Sequence, residues 1–105
     1  MRMIILDEEL IRSIREIGRN YAVEQIVLFG SRARGDHKPV SDIDLAVFLL
    51  PKSNCIGRLA SDIEDLNTLL KIDTIFINEN IDPKLLENIK KEGVLLYERT
   101  KHKSK

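Results

Sequence analysis

Two apolar runs separated by a short basic segment constrain the fold of this chain more than any other feature. The first run, Gln25–Phe29, ends in Gly30-Ser31, and the second opens with Asp42 and Asp44. Because the first run is too short for a helix, it predicts a buried strand, and the second run predicts another at 43–50. About a dozen residues connect the two strands, which leaves room for one short helical turn but not for a full crossover helix.

The remainder of the chain alternates helical and strand patterns, which predicts an α/β sheet. In chain order the predicted elements are a helix at 7–17, strands at 25–29 and 43–50, a helix at 53–70, a strand at 72–77, a helix that starts at Asp82-Pro83 and closes at Gly93, and a strand at 94–97. Of the helices, 53–70 is predicted to be the longest. Asp7 is expected to cap the first helix, and Gly18 to end it in a left-handed turn.

Composition and charge limit the size of the fold and the kinds of partner that this chain can bind. With 105 residues the chain is expected to form one small domain over 1–98, followed by a basic tail at 99–105. Lys+Arg and Asp+Glu both number 17, so direct nucleic-acid binding through bulk charge is not expected. The single cysteine, Cys55, excludes an internal disulfide and is expected to be a small apolar residue near a helix start.

Targeting signals are not evident in the sequence. We find no 18-residue apolar span and no signal peptide, so we expect a cytoplasmic protein without a membrane segment. His37 and His102 are the only histidines, which leaves no His/Cys set for a zinc site. His37 is given no functional role.

Three aspartates are the candidate catalytic and metal-binding residues. Asp42 and Asp44 lie two positions apart along a strand, so their side chains point to the same face. Asp73 is the second residue of the next predicted strand and approaches that pair if the two strands are neighbours. Carboxylates held side by side repel each other unless a cation lies between them. We therefore expect Asp73 to bind metal with the pair, and to accept the proton of an attacking hydroxyl.

A glycine-serine turn precedes the aspartates and is typical of phosphate binding. Gly30 lets the backbone approach a phosphate, and the Ser31 hydroxyl adds a hydrogen bond. Arg32, Arg34 and Lys38 can neutralise a leaving pyrophosphate, with Arg32 the strongest candidate because it is next to Ser31. Neither a P-loop nor a dinucleotide-binding glycine motif is present.

Each of these features alone has a structural explanation. An Asp-x-Asp pair is often a solvated strand face, a Gly-Ser pair is usually a turn and cap, and arginines are commonly surface charges. All three acids, however, open predicted strands, and the phosphate-type turn precedes the pair at a suitable distance. The joint pattern therefore favours a nucleotide site.

The motif Gly30-Ser31-x-x-x-Gly35, followed by Asp42-x-Asp44 and by Asp73, resembles the minimal nucleotidyltransferases of the polymerase-beta-like superfamily. The resemblance covers nearly the whole chain. It implies a small mixed sheet of about four strands flanked by helices, with ATP as substrate and two Mg²⁺ ions. By position, Gly30 and Ser31 would hold phosphate, and the three aspartates would hold the metals.

Proteins similar to these are often antitoxins encoded beside a HEPN-domain ribonuclease, and some transfer AMP to a tyrosine of that toxin. The short chain adds no domain for RNA or a small substrate, which favours a protein acceptor. Two alternatives stay open: an antitoxin that acts by binding alone, and a nucleotidyltransferase acting on a small molecule or an RNA end. Open sheet edges make self-association possible.

Overall fold

The computed structural model describes residues 6–35, 42–51, 54, 56–66, 68–77 and 81–99. The elements are α1 (Glu8–Asn20), β1 (Val23–Phe29), α2 (Ser31–Arg34), β2 (Ile43–Leu49), α3 (Ile56–Glu64), β3 (Ile72–Ile77), α4 (Pro83–Glu92) and β4 (Val94–Glu98). This order confirms the predicted one, and the described part of the connection between the first two strands contains one helical turn, α2. The predictions for His37, Lys38, Cys55 and tail residues 100–105 concern positions outside the described residues.

The four strands form one mixed sheet in the order β3-β2-β1-β4. β1 is antiparallel to β2 and to β4, whereas β2 and β3 are parallel. Two parallel neighbours need a crossover connection, and α3 provides it. The predicted α/β class and the mixed sheet are both confirmed.

Helices cover both faces of the sheet. On one face α1 and α3 enclose the larger apolar cluster, whose buried residues include Leu10, Ile14, Ile43, Leu45, Val47, Leu59 and Ile63. On the other face α4 contributes Ile89 to a smaller cluster with Val27, Ala46 and Ile77. Residues of β2 alternate between the two clusters, as strand geometry requires. Within the described residues, no helix is long and apolar enough to cross a membrane.

Helix α1 runs past Gly18 to Asn20, so the prediction that Gly18 ends the helix is wrong. Gly18 is buried, and a Cβ built there would lie within 2.8 Å of three ring carbons of Tyr97. The glycine is therefore required by close packing between α1 and β4, not by a left-handed turn. The Gly18 carbonyl accepts a hydrogen bond from Arg99 Nη2 at 3.2 Å. Asp7 occupies the N-cap position, but its side chain makes no capping hydrogen bond.

Gly18→Ala is expected to lower the free energy of unfolding by about 1–3 kcal/mol, because the added methyl group must displace the Tyr97 ring. Thermal unfolding followed by circular dichroism measures the loss. Ser13→Ala is the matched control, since Ser13 lies on the exposed face of the same helix. Equal melting temperatures for the two variants would show that the packing against Tyr97 is not tight.

Helix α3 ends at Glu64, so the helix predicted to reach residue 70 is too long, and α1 is the longest described helix. After Glu64 the Leu66 amide donates to the Ile63 carbonyl at 3.2 Å, three residues back instead of the four of an α-helix. Further along, the Thr68 hydroxyl accepts a hydrogen bond from the Leu70 amide at 3.1 Å, which stabilises a turn instead of the helix. Leu66 and Leu70 still pack against the larger core cluster. Apolar residues therefore continue at helical spacing in the sequence beyond the residue at which the helix ends.

Helix α4 begins and ends as predicted. The Asp82 side chain accepts a hydrogen bond from the Lys84 amide at 3.2 Å, and Pro83 occupies the first helical turn. Gly93 follows the helix and donates its N–H to the Ile89 carbonyl at 2.8 Å. Strand β4 then returns directly beside β1.

Candidate functional site

The end of β1 and the beginnings of β2 and β3 meet at one edge of the sheet. In the antiparallel pair Phe29 lies opposite Asp44, and in the parallel pair Asp44 lies opposite Asp73. Neighbouring strands are about 4.8 Å apart, and residues in register share a face. Asp44 therefore lies between the Gly30 turn, which follows Phe29, and the carboxylate of Asp73. The register of β2 with β3 therefore brings Asp73, which is distant in sequence, beside the Asp-x-Asp pair.

Gly30 is held directly against the Asp44 side chain. Its backbone has φ 80° and ψ −157°, a conformation that is essentially restricted to glycine. A Cβ built at Gly30 would lie 3.2 Å from Asp44 Cγ and closer still to Asp44 Oδ2. The turn thus needs glycine for two independent reasons, its dihedral angles and the carboxylate packed on it.

The single turn of helix α2 follows Gly30. The Gly30 carbonyl accepts a hydrogen bond from the Arg34 amide at 3.1 Å, and Gly35 ends the turn in a left-handed conformation with φ 87°. Ser31 is half-buried at the start of this turn, next to the Gly30–Asp44 contact. Its position next to the carboxylates is compatible with the predicted phosphate contact, which stays a prediction.

The carboxylates influence one another electrostatically. Partial burial raises the pKa of Asp44 above its usual range, and the charges of Asp73 and Asp42 raise it further, whereas the Arg34 guanidinium opposes them. Asp42 is exposed just before β2, and the Asp73 side chain is half-exposed. The geometry therefore places three negative charges near one another, with Asp44 the most enclosed.

The raised pKa of Asp44 makes the stability of the folded protein depend on pH. Because the folded state favours protonated Asp44, its ionisation opposes folding at pH values above the folded pKa, and the penalty disappears below the ordinary aspartate pKa of about 4. Asp44→Asn cannot ionise. In metal-free buffer it should therefore melt a few °C higher than the wild type near neutral pH.

The difference in melting temperature between Asp44→Asn and wild type should shrink as the pH falls toward about 4. Thermal melts between about pH 4 and pH 7.5 in the presence of a chelator measure it. A difference that stays constant or grows on acidification would contradict the electrostatic explanation.

The donor set suits a hard divalent cation. Mg²⁺ prefers oxygen ligands, and in nucleotide sites one or two carboxylates usually bind it together with substrate phosphates. Asp44 and Asp73 supply such a pair. As the side chains stand, no group of three His, Cys, Asp or Glu among the described residues is arranged to hold a metal ion. The other ligands would have to be phosphate oxygens and water, or Asp42 after side-chain rotation.

The two arginines of the turn differ in environment. Arg32 is only 6% exposed, so it is part of the packed turn, and its predicted phosphate contact is not tested by the geometry. Arg34 is exposed and forms an ion pair with Glu92 of α4, with 3.4 Å between Nη1 and Oε1. Exposed pairs of this kind contribute about 0.2–1 kcal/mol, so the pair constrains Arg34 only weakly.

Sequence reasoning missed Lys71 and Glu92 at this end of the sheet. Lys71 Nζ lies 3.7 Å from Asp73 Oδ1, and Glu92 pairs with Arg34. The signal for Lys71 was present, since it precedes Asp73 by two residues and therefore shares its face. No signal in the sequence pointed to Glu92, because that contact depends on how α4 packs.

A cleft of about 630 Å³ lies elsewhere, between α1 and β4, with Arg15, Arg19, Leu95, Leu96, Tyr97, Glu98 and Arg99 along it. Two of its arginines join elements of the fold: Arg15 Nε donates to the Leu96 carbonyl at 2.8 Å, and Arg99 Nε donates to the Val23 carbonyl at 2.9 Å. None of the predicted site residues lines it. The cleft therefore shares no residue with the aspartate edge of the sheet, where Asp42, Asp44 and Asp73 lie.

Comparison with known proteins gives the family of the chain. A family model described as polymerase beta nucleotidyltransferase matches residues 12–102. The chain is also similar to the Methanocaldococcus jannaschii protein named protein adenylyltransferase MJ1215. The two are 45% identical over 76 residues, which span 71% of this chain and 86% of the relative.

Two solved structures share the fold. A chain from a toxin–antitoxin structure with AMP-PNP superposes with a TM-score of 0.67 and 22% identity, over 85% of this chain and 73% of that chain. A chain from the structure of tri-AMPylated Shewanella oneidensis HEPN toxin in complex with MNT antitoxin gives a TM-score of 0.64 and 19% identity, over 90% and 74%. These likenesses concern the fold, whereas the family match covers the turn and all three aspartates. The chain belongs to the polymerase beta nucleotidyltransferase family.

Proposed function

We propose that this chain is an antitoxin that transfers AMP from ATP to a tyrosine hydroxyl of a HEPN ribonuclease toxin and thereby silences it in the cytoplasm. The observation that carries the proposal is the register of Asp44 with Asp73 beside the Gly30 turn. Support for a protein acceptor comes from the name of the Methanocaldococcus relative. Support for the toxin comes from the structure of a tri-AMPylated HEPN toxin with an MNT antitoxin, one chain of which shares this fold.

The proposed reaction is a substitution at the α-phosphorus of ATP. The acceptor oxygen forms a bond to that phosphorus, the bond to the bridging oxygen of the β-phosphate breaks, and pyrophosphate leaves with the bonding electrons. The hydroxyl proton passes to a carboxylate, and Asp73 is suited to receive it because its side chain is half-exposed at the site edge. No redox change is involved.

The chain's own residues would orient the nucleotide. Gly30 allows the backbone to approach the phosphates without a side chain between them, and Ser31 donates its hydroxyl to a phosphate oxygen. Arg32 supports the turn, and Arg34 adds positive charge near the leaving group. Asp42, Asp44 and Asp73 would hold Mg²⁺, which when bound neutralises the phosphate and carboxylate charges.

Labelled transfer tests the proposal. The purified chain is mixed with ATP labelled at the α-phosphate, with Mg²⁺, and with the protein encoded by the neighbouring gene, which the proposal identifies as the HEPN protein. We expect label and a mass increase of one AMP unit on the HEPN protein, and neither when a chelator replaces Mg²⁺. An unlabelled HEPN protein, in an assay where a known protein adenylyltransferase labels its own substrate, would overturn the proposal.

A further inference from the structure

Lys71 lies beside the third aspartate and has no assigned role. Its ammonium nitrogen is 3.7 Å from Asp73 Oδ1, and the two side chains are 72% and 47% exposed. The distance is that of an ion pair, not of a hydrogen bond. Both partners are open to solvent, so the contact can break and form without disturbing the core.

The register of the sheet places Lys71 next to the Asp-x-Asp pair as well. The Ile43 amide donates to the Lys71 carbonyl at 2.8 Å, which continues the parallel β2–β3 ladder before its first paired residues, Ile43 and Ile72. One step earlier along both strands, Lys71 corresponds to Asp42. Because Lys71 and Asp73 are two residues apart, they also share the face that carries Asp44.

The ladder thus carries three carboxylates and one ammonium at corresponding positions of two adjacent strands. Without a metal ion, the ammonium offsets the charge of Asp73, while the Arg34 guanidinium opposes the repulsion at Asp44. A divalent cation bound at Asp73 would need the same carboxylate and would repel the ammonium from it. Lysine has a flexible four-carbon stem, so its charge can move to another anion nearby. The anion that arrives with the cation is the triphosphate.

We infer that Lys71 exchanges partners: it pairs with Asp73 in the metal-free protein, competes with the divalent cation for that carboxylate, and pairs with the triphosphate once the cation is bound. This inference rests on the proposed function, because it assumes that the aspartate edge binds a metal–nucleotide complex. Lys71 should therefore weaken the binding of the metal ion alone and strengthen the binding of the nucleotide.

Binding of Mn²⁺ without nucleotide tests the first half, with free Mn²⁺ measured by electron paramagnetic resonance at low ionic strength. Lys71→Met should bind Mn²⁺ about 3- to 10-fold more tightly than the wild type, because one repelling charge has been removed. Lys71→Arg keeps the charge and should stay within about 2-fold of the wild type. Lys84→Met, which removes an exposed lysine at the start of α4, is the matched control and should leave Mn²⁺ binding unchanged. Unchanged or weaker Mn²⁺ binding by Lys71→Met overturns the inference.

Binding of a non-hydrolysable ATP analogue at saturating Mn²⁺ tests the second half. Lys71→Met should bind the analogue about 5- to 10-fold more weakly, and Lys71→Arg should restore most of the affinity. Equal affinity of the wild type and Lys71→Met for the analogue would overturn the exchange to the triphosphate. Both measurements are independent of AMP transfer. A failed transfer assay together with the expected binding changes would therefore remove the proposed function and leave the role of Lys71 in binding intact.

Discussion

Asp44→Asn is expected to lower AMP transfer to the HEPN protein by on the order of 10³-fold while the variant remains folded. Asp44 is the central carboxylate of the site, since it lies in register with Asp73 on one side and against Gly30 on the other. Asparagine keeps the shape of the side chain but loses the negative charge that a divalent cation requires. The loss should therefore appear in the rate and not in the melting temperature, which is expected to rise.

Asp65→Asn is the matched control for this prediction, because Asp65 is an exposed carboxylate beyond the end of α3. Its transfer rate should equal that of the wild type. The same pair of variants separates the two antitoxin mechanisms. If Asp44→Asn still neutralises the toxin, binding alone is sufficient, and the catalytic account of neutralisation is wrong.

The second large effect is expected at Gly30. Gly30→Ala should lower the transfer rate by about 10²-fold, because the added Cβ must displace the Asp44 carboxylate and alanine cannot adopt the observed dihedral angles without strain. It should also lower the free energy of unfolding by about 1–3 kcal/mol. Transfer assays and thermal melts on the same preparation measure both effects.

Gly57→Ala provides the comparison for Gly30→Ala. Gly57 lies in α3, and a Cβ built there meets no atom within 4 Å. Alanine favours the helix, so this variant should be about 0.5–1 kcal/mol more stable than the wild type, with unchanged transfer. Equal activities for the two glycine variants would show that the Gly30–Asp44 contact does not position the site.

The candidate site could be predicted from the sequence because its residues lie in short motifs or near the ends of predicted strands. Gly30-Ser31 and Asp42-x-Asp44 are short motifs whose spacing can be read directly. Asp73 was identified by its place at the start of a predicted strand, and the expectation that it approaches the pair depended on β2 and β3 being neighbours. The structure provides that pairing, with Asp44 opposite Asp73.

The features that sequence reasoning missed depend on contacts between distant residues. Gly18 resembles a helix terminator, but it is packed against Tyr97 of β4. Helix α3 ends at Glu64 and is followed by turns at Leu66 and Thr68, although apolar residues continue at helical spacing. Arg99 appeared to be part of a basic tail, whereas its guanidinium donates to the carbonyls of Val23, Gly18 and Tyr21. Such contacts follow from the way helices and strands pack, which periodicity does not reveal.

The central claim is that Asp44 and Asp73 together bind the cation that accompanies the nucleotide. Anomalous diffraction from crystals of the chain grown with Mn²⁺ and a non-hydrolysable ATP analogue tests it most directly. Our account predicts a Mn²⁺ peak within bonding distance of carboxylate oxygens from both Asp44 and Asp73, with phosphate oxygens completing the coordination. A peak bound to neither aspartate, or a nucleotide bound in the cleft between α1 and β4, would contradict it.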